Sequence, residues 1–334
     1  MHLFRPAPTP ARRAAASPAV LVLAVLALLV PSACGSLRLG PSDASGGALA
    51  GTADLDGASY VVAGGGTEEL HILCQLTIAA VQAAGARAED QCGKVGAADV
   101  RRSAAQTEVD TGWAYAGRDW RTAADLDDAE GTGAFYDPPA TPDDATRADA
   151  ARGVTRLAPS AFSDVDAMVV AGSGPLRGAR SLDDPALRSA VVCAAPDAAS
   201  DPTRLPAVRA AYGLVGPVAT MDGAAVLAGV ATGRCGLGEV GGTSGRIPGL
   251  GLLALADDRG ALASAPSGRG GVSPILRTDV FAAHPQVAAV LGAVTARLDD
   301  AAIRRMNAEV DLDGRDSRDA ARRWLISEGL IARG

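Results

Sequence analysis

Apolar and polar positions begin to alternate with a readable period at ASYVVA, residues 58–63, a short run of strand length. After GGGTEE, apolar side chains recur at Leu70, Leu73, Leu76 or Thr77, and Ala80, which is the spacing of one helix face. Thr67 is placed to cap that helix, Glu68 and Glu69 fall at the positive end of its dipole, and Gly85 ends it. A polar-rich strand at 87–92 and a helix at 97–105 lead to EVDTGWAYAG, Glu108 to Gly117. This β-α-β-α-β order with glycines at the strand ends predicts an open α/β sheet. Ligands of such sheets sit at the carboxyl ends of the strands. GGGTEE and DTGWAYAG are both expected there.

Residues 118–153 are charged and proline-punctuated, an excursion of helix and loop. The apolar pattern resumes with a strand at 165–170, a short helix at 182–187 and a strand at 190–194. Helices around 205–212 and 222–232 and strands at 235–240 and 250–255 follow. The block from about 165 to 250 reads as a second α/β unit inserted into the first. At the C-terminus three helices present Val287, Val290, Leu291, Val294 and Leu298, then Ile303, Met306 and Val310, then Ala320, Trp324 and Leu325.

The N-terminus reads as an export signal. Arg5, Arg12 and Arg13 precede an unbroken apolar run of Ala19 to Val30, too short to span a bilayer comfortably. PSACGS then resembles a bacterial lipobox, in which Cys34 becomes lipid-modified and N-terminal. Pro31 stands where that motif usually has Leu, and the alternative is plain cleavage that leaves Cys34 free. Residues 36–53, rich in Gly, Ser and Ala, read as a flexible tether. Export permits disulfides. Cys74, Cys92, Cys193 and Cys235 allow three pairings, of which Cys74–Cys92 with Cys193–Cys235 is expected because each pair then lies within one α/β unit.

Composition narrows the chemistry. A net charge of −7 argues against nucleic acid as a partner. His2, His71 and His284 form no cluster and no C-x-x-C occurs, so no metal site and no cofactor are expected. GLGEVG at 236–241 matches a dinucleotide fingerprint but runs into GTSGRIPG, which cannot begin a long helix. No G-x-S-x-G is present, and no nucleophile and base pair up by sequence, so an enzyme is not expected. Aromatics make up 3 % of the chain, yet Trp113 and Tyr115 stand two apart beside Asp110, with Trp120 close behind. Rings beside a carboxylate on a glycine-rich loop suit a small organic cation or zwitterion. Two rings that plug a core would give the same W-x-Y pattern.

From Pro274 onward the run PILRTDVF, then AAHPQVAAVLGAVTARLDDAAIRRMNAEVDLDGRDSRDAARRWLISEGL, closely resembles the C-terminal end of one receptor family. That family comprises the substrate-binding proteins of osmoprotectant ABC importers for glycine betaine, choline and carnitine. Pro285, Leu291, Leu298, Met306, Asn307, Val310, Asp311, Gly314, Ala321, Trp324, Leu325, Gly329 and Leu330 fit its pattern. Upstream, Thr67 and Glu68 match its T-E loop, and Glu108, Asp110, Trp113, Tyr115 and Gly117 match its E-I-D-x-Y-W-E-Y-T-G stretch. The resemblance implies a two-lobed, type II periplasmic-binding-protein-like α/β fold with two crossover strands. The expected layout is a signal peptide at 1–33, a lipidated N-terminus and tether at 34–56, lobe 1 at 57–162 plus 255–334, and lobe 2 at 163–254. It also implies a monomeric receptor, anchored by lipid at the outer face of the cytoplasmic membrane, that delivers a small solute to a permease and its ATPase. The ligand residues it implies are Tyr115, Trp113, Asp110, Asp166, Thr67, Glu68 and Thr243. The family's aromatic box is thinned here: Gly112 and Asp166 stand where it has rings. The solute that the resemblance implies is a quaternary ammonium or zwitterion of the betaine or choline kind. The alternatives are a different amine or amino acid, or a surface sensor or interaction protein without transport.

Overall fold

A computed structural model describes residues 47–94, 97–116, 142–163, 165–263 and 271–333. The leader, Cys34 and the rings of Trp120, Phe135 and Tyr136 lie outside the described residues.

The first α/β unit forms as its pattern dictates. Strand β1 (Ser59–Gly64) feeds helix α1 (Glu68–Ala83), whose first turn is capped by Thr67 Oγ1 accepting from the Leu70 amide at 3.2 Å. Strand β2 (Arg87–Cys92), helix α2 (Ala97–Ala105) and strand β3 (Thr111–Tyr115) follow. Helix α3 (Pro142–Ala150) and strand β4 (Val154–Arg156) complete this part. Strand β10 (Val272–Arg277) returns much later in the chain and slots between β3 and β4, giving the sheet order β2-β1-β3-β10-β4. β1 runs parallel to β2 and β3, while β10 is antiparallel to β3 with Pro274 opposite Trp113.

All strands between 166 and 254 pair among themselves in a second sheet. They are β5 (Asp166–Ala171), β6 (Val192–Ala194), β7 (Val218–Thr220), β8 (Leu237–Gly241) and β9 (Leu252–Ala254), in the order β7-β6-β8-β5-β9. Helices α4 (Pro196–Ser200) and α5 (Leu205–Tyr212) cover one face, with Leu205 and Val208 packed on Met168 and Leu237. Helix α6 (Gly223–Ala231) covers the other, with Val226 and Val230 against Val169 and Cys193. The short helix α7 (Arg246–Gly249) joins β8 to β9.

The chain ends in helices α8 (Thr278–Ala283), α9 (Val287–Thr295), α10 (Asp300–Asp311) and α11 (Ser317–Ser327). The last three wrap α1, which is buried nearly all round as a result; Leu73, Leu76, Val290, Ile303 and Leu325 are fully enclosed. Disulfides join Cys74 to Cys92 and Cys193 to Cys235.

Two features depart from the sequence reading. Residues 48–51, expected within the tether, form a 3-10 turn whose Ala48 and Leu49 amides bond Gly329 and Leu330 carbonyls at 3.0 Å, and Leu49 is fully buried. One apolar side chain in a Gly-rich stretch is enough to dock it when a pocket between helices waits for it. The expected helix at 182–187 shrinks to one 3-10 turn, Pro185–Leu187, started by Asp184. GLGEVG falls in β8, residues 237–241, in line with the strand expected at 235–240.

Candidate functional site

The carboxyl ends of the two sheets face each other, and side chains from both meet there. Tyr115 is the last residue of β3 and is 5 % exposed. Its hydroxyl donates to Glu69 Oε1 in the first turn of α1, and its ring meets Phe162 edge-on at 6.3 Å. The other oxygen of Glu69 accepts from Asn307 Nδ2 of α10 at 3.3 Å. The same Asn307 nitrogen donates to the Thr243 carbonyl, just beyond β8, at 2.8 Å. A continuous polar chain thus runs from Tyr115 in the first sheet to Thr243 beside the second. Arg304, one turn before Asn307 on α10, donates from Nε to the Gly242 carbonyl and reinforces the link. Gly245 lets this contact close: a Cβ there would sit 2.3 Å from the Ala308 amide nitrogen. Phe162 lies in the segment that leaves the first sheet for the second, with its amide on the Leu298 carbonyl.

Beneath Tyr115 lies a buried ion triad. Asp149 is fully buried and receives Arg101 Nε at 2.8 Å and Arg156 Nη2 at 2.9 Å. The same guanidinium groups reach on to the end of β3: Arg101 Nη2 donates to the Tyr115 carbonyl at 3.2 Å and Arg156 Nη1 to the Ala114 carbonyl at 3.3 Å. Two cations shared by one carboxylate also donate to backbone, so the ion cluster helps to fix where β3 stops.

The second sheet brings its own charged group to the same end. Asp166 opens β5 opposite Gly241, and its Oδ2 lies 2.8 Å from Arg204 Nη2. Arg204 also contacts Asp197 at 2.7 Å and Glu239 at 3.3 Å. Glu239 is 2 % exposed. Burial pushes its carboxyl up to about 7; the nearby Asp166 adds to the rise and Arg204 opposes it. Three carboxyl groups around one guanidinium leave this end of the second sheet acidic.

The expected ligand residues divide accordingly. Tyr115, Thr67, Glu68 and Thr243 gather at the carboxyl ends, although Glu68 faces outward to Ser317 Oγ at 3.1 Å and Thr67 is occupied as the helix cap. Asp166 is at the same end on the second sheet. Trp113 is not: it is 2 % exposed in the core, its indole N–H on Thr77 Oγ1 at 2.9 Å. Strand alternation puts it on the same face as Tyr115 but one pleat deeper under α1. Asp110 is not there either. It precedes β3 at the opposite end of the strand, with its carboxylate on the Val61 amide at 2.7 Å and on Arg277 Nη1 at 3.1 Å. Gly112 has no room for a ring, because a Cβ would meet the Ala63 carbonyl oxygen and Val100 at 2.5 Å. Glu69, Phe162, Asn307, Arg204 and Glu239 are not among the expected ligand residues, although Asn307 fits the family pattern. The part of Glu69 and Asn307 in the site arises only where α1, α10 and β8 converge. Among the described residues, one His/Cys/Asp/Glu group is compact enough for a metal: Cys74, Asp90 and Cys92. The two sulfurs there are bonded to each other and are no longer thiolate ligands.

Comparison with known proteins completes the picture. The family model for the substrate-binding domain of the ABC-type glycine betaine transport system matches residues 58–327. Apo YehZ from Escherichia coli superposes with a TM-score of 0.68 at 20 % identity, over 81 % of this chain and 99 % of that one. A structure described as a glycine betaine/carnitine/choline ABC transporter gives 0.64 at 16 % identity, over 81 % and 99 %. Among curated protein sequences nothing matches. At these identities the two structures show the shared fold, a two-lobed type II architecture.

Proposed function

Because the chain belongs to the family of substrate-binding domains of ABC-type glycine betaine transporters, an extracytoplasmic solute receptor rather than an enzyme, we propose that its cleft takes a small quaternary-ammonium or zwitterionic solute. The solute is of the glycine betaine or choline kind, and Cys34 carries a lipid anchor that holds a monomeric receptor near its permease and ATPase. The observation that carries this reading is the chain Tyr115–Glu69–Asn307–Thr243. It supports the reading because an aromatic ring and a buried carboxylate are bonded through to the loop after β8, so a cation that meets them also bears on lobe closure. Tyr115, Glu69, Phe162 and Thr243 form the first wall around the positive head, and Asp166 contributes negative potential from the second lobe. Thr67 holds Glu69 in place by starting α1. Trp113 and Asp110 act at a distance, as core and as strand anchor.

Calorimetry with glycine betaine, choline, carnitine and a panel of amines and amino acids tests the reading. A saturable heat from at least one of them is expected, and none from any would overturn it. Tyr115→Ala is expected to weaken the ligand so found by roughly tenfold, the worth of one desolvated cation–π contact. Unchanged affinity would remove Tyr115 from the site. Mass spectrometry of the membrane-extracted protein checks the anchor: a diacylglyceryl mass on Cys34 supports it, and a free thiol refutes it.

A further inference from the structure

The far end of the second sheet, where β6, β7 and β8 begin, carries a feature unrelated to the cleft. A cavity of about 450 Å³ opens there between the loop after β5, the 3-10 turn and the start of β8. Leu176, Ala190, Val191 and Val230 supply apolar walls, and Ser189 and Arg234 lie at its edge. Cys235 of the second disulfide also lines it, so the cavity is braced rather than collapsible.

Charge at this pole runs against the rest of the chain. The four loops that build it, residues 172–180, 185–191, 213–218 and 232–236, contain Arg177, Arg180, Arg188 and Arg234 and no Asp or Glu, in a protein of net charge −7. Arg177 and Arg180 donate to loop carbonyls, whereas the side chains of Arg188 and Arg234 have no hydrogen bond or ion pair among the described residues. The neighbouring acids are engaged elsewhere: Asp183 with Arg259, and Asp184 with the Ala186 amide at 2.9 Å. Apolar exposure gathers here too. Val191, Val215 and Val218 are 36 %, 76 % and 36 % exposed, and Leu250 at the edge of the same pole is 43 % exposed.

We propose that this cavity is a second binding site, for a single-chain anionic amphiphile: a carboxylate on a short alkyl or aryl group, with the apolar part in the cavity and the charge on Arg234. The volume is within the range small organic ligands fill. An unpaired guanidinium beside an apolar hollow matches the two ends of such a molecule. A two-chain lipid has too much hydrocarbon for the space. The site lies at the opposite strand ends from the cleft, so its failure would leave the receptor reading untouched.

The test is calorimetry of the full chain with octanoate below its micelle concentration, beside octylammonium and octanol of matched length. Octanoate is expected to bind saturably, and octylammonium at least tenfold more weakly. Arg234→Glu is expected to weaken octanoate tenfold or more. Ala186→Trp, at an exposed position on the rim, is expected to abolish binding; Ser189→Trp serves if that variant fails to fold. Equal affinity for octanoate and octylammonium, or affinity unchanged in both Arg234→Glu and the folded Trp variant, would overturn the proposal. A parallel arm offers phosphatidylglycerol and phosphatidylcholine vesicles. Retention on phosphatidylglycerol without binding of free octanoate would also overturn it and assign the pole to an anionic membrane surface.

Discussion

Asp149→Asn isolates the ion triad beneath Tyr115. The substitution keeps the shape of the side chain but leaves Arg101 and Arg156 charged, with exposures of 1 % and 5 % and no countercharge at Asp149. Breaking a buried pair by neutralising one partner costs about 3–5 kcal/mol, because the stranded charge remains in a medium that solvates it poorly. In a chain of this size about 1 kcal/mol corresponds to about 1.5 °C, so the melting temperature should fall by roughly 4–8 °C. Urea unfolding followed by circular dichroism reads the first number and a thermal scan the second. The triple variant Arg101→Met/Asp149→Leu/Arg156→Met is the control. It removes both signs of charge and should recover most of the loss, since apolar replacements of a whole buried ion cluster are often neutral or stabilising. A loss below about 1 kcal/mol for Asp149→Asn would refute the electrostatic argument. A triple variant as unstable as the single would show that the bonds to the Ala114 and Tyr115 carbonyls, not charge pairing, carry the stability.

Three further outcomes follow from the geometry. Glu239 binds its proton more tightly folded, near 7, than an ordinary glutamate does near 4.5, so its contribution is present below pH 4.5 and is lost as pH rises through 7. The total is on the order of 3 kcal/mol; Glu239→Gln should flatten that fall in denaturant titrations at pH 5 and 8, and parallel curves for both proteins would exclude it. Asn307→Ala removes hydrogen bonds to both lobes and should weaken the solute by about fivefold through a smaller closed population, visible as a larger radius of gyration in small-angle scattering of the liganded protein; unchanged affinity and radius would show that the bridge has no part in closure. Replacing each cysteine pair with serine should cost about 3 kcal/mol for Cys74–Cys92 and about 4 kcal/mol for Cys193–Cys235, from the 18- and 42-residue separations they close; equal stability of either variant in urea would refute the loop-closure reasoning for that pair.

Local rules were sufficient wherever a segment carries its own signal. Helix α5 at 205–212 is bounded by Pro206 inside its start and Gly213 in the left-handed conformation after its end, and both are visible in sequence. β4 and β7 have only three residues each, and β7 is half exposed, so neither shows a period long enough to read. At the site, what was legible was position along the chain, not depth. W-x-Y spacing puts both rings on one face of a strand, but only the packing of α1 decides that Trp113 meets Thr77 while Tyr115 reaches Glu69. Asp110 looked available because its partner, Arg277, lies 167 residues away. Gly112 reads as a lost ring in sequence; it is a strand position pressed against Ala63 and Val100, with no room for a side chain.

The insertion of one sheet within the other also sets an order of assembly for a chain that emerges N-terminus first. The second sheet draws all its strands from one continuous stretch and can form as soon as Ala254 emerges. The first cannot: β10, the partner of both β3 and β4, and the helices that enclose α1 all lie after residue 271. Until then β3 and its two rings face an open edge, the hazard that incomplete sheets present to aggregation. Each disulfide, by contrast, joins cysteines that emerge close together, so oxidation in chain order yields the native pairs and neither needs reshuffling. The nascent receptor is thus covalently pinned in both halves before its ligand-facing strand has found its neighbour.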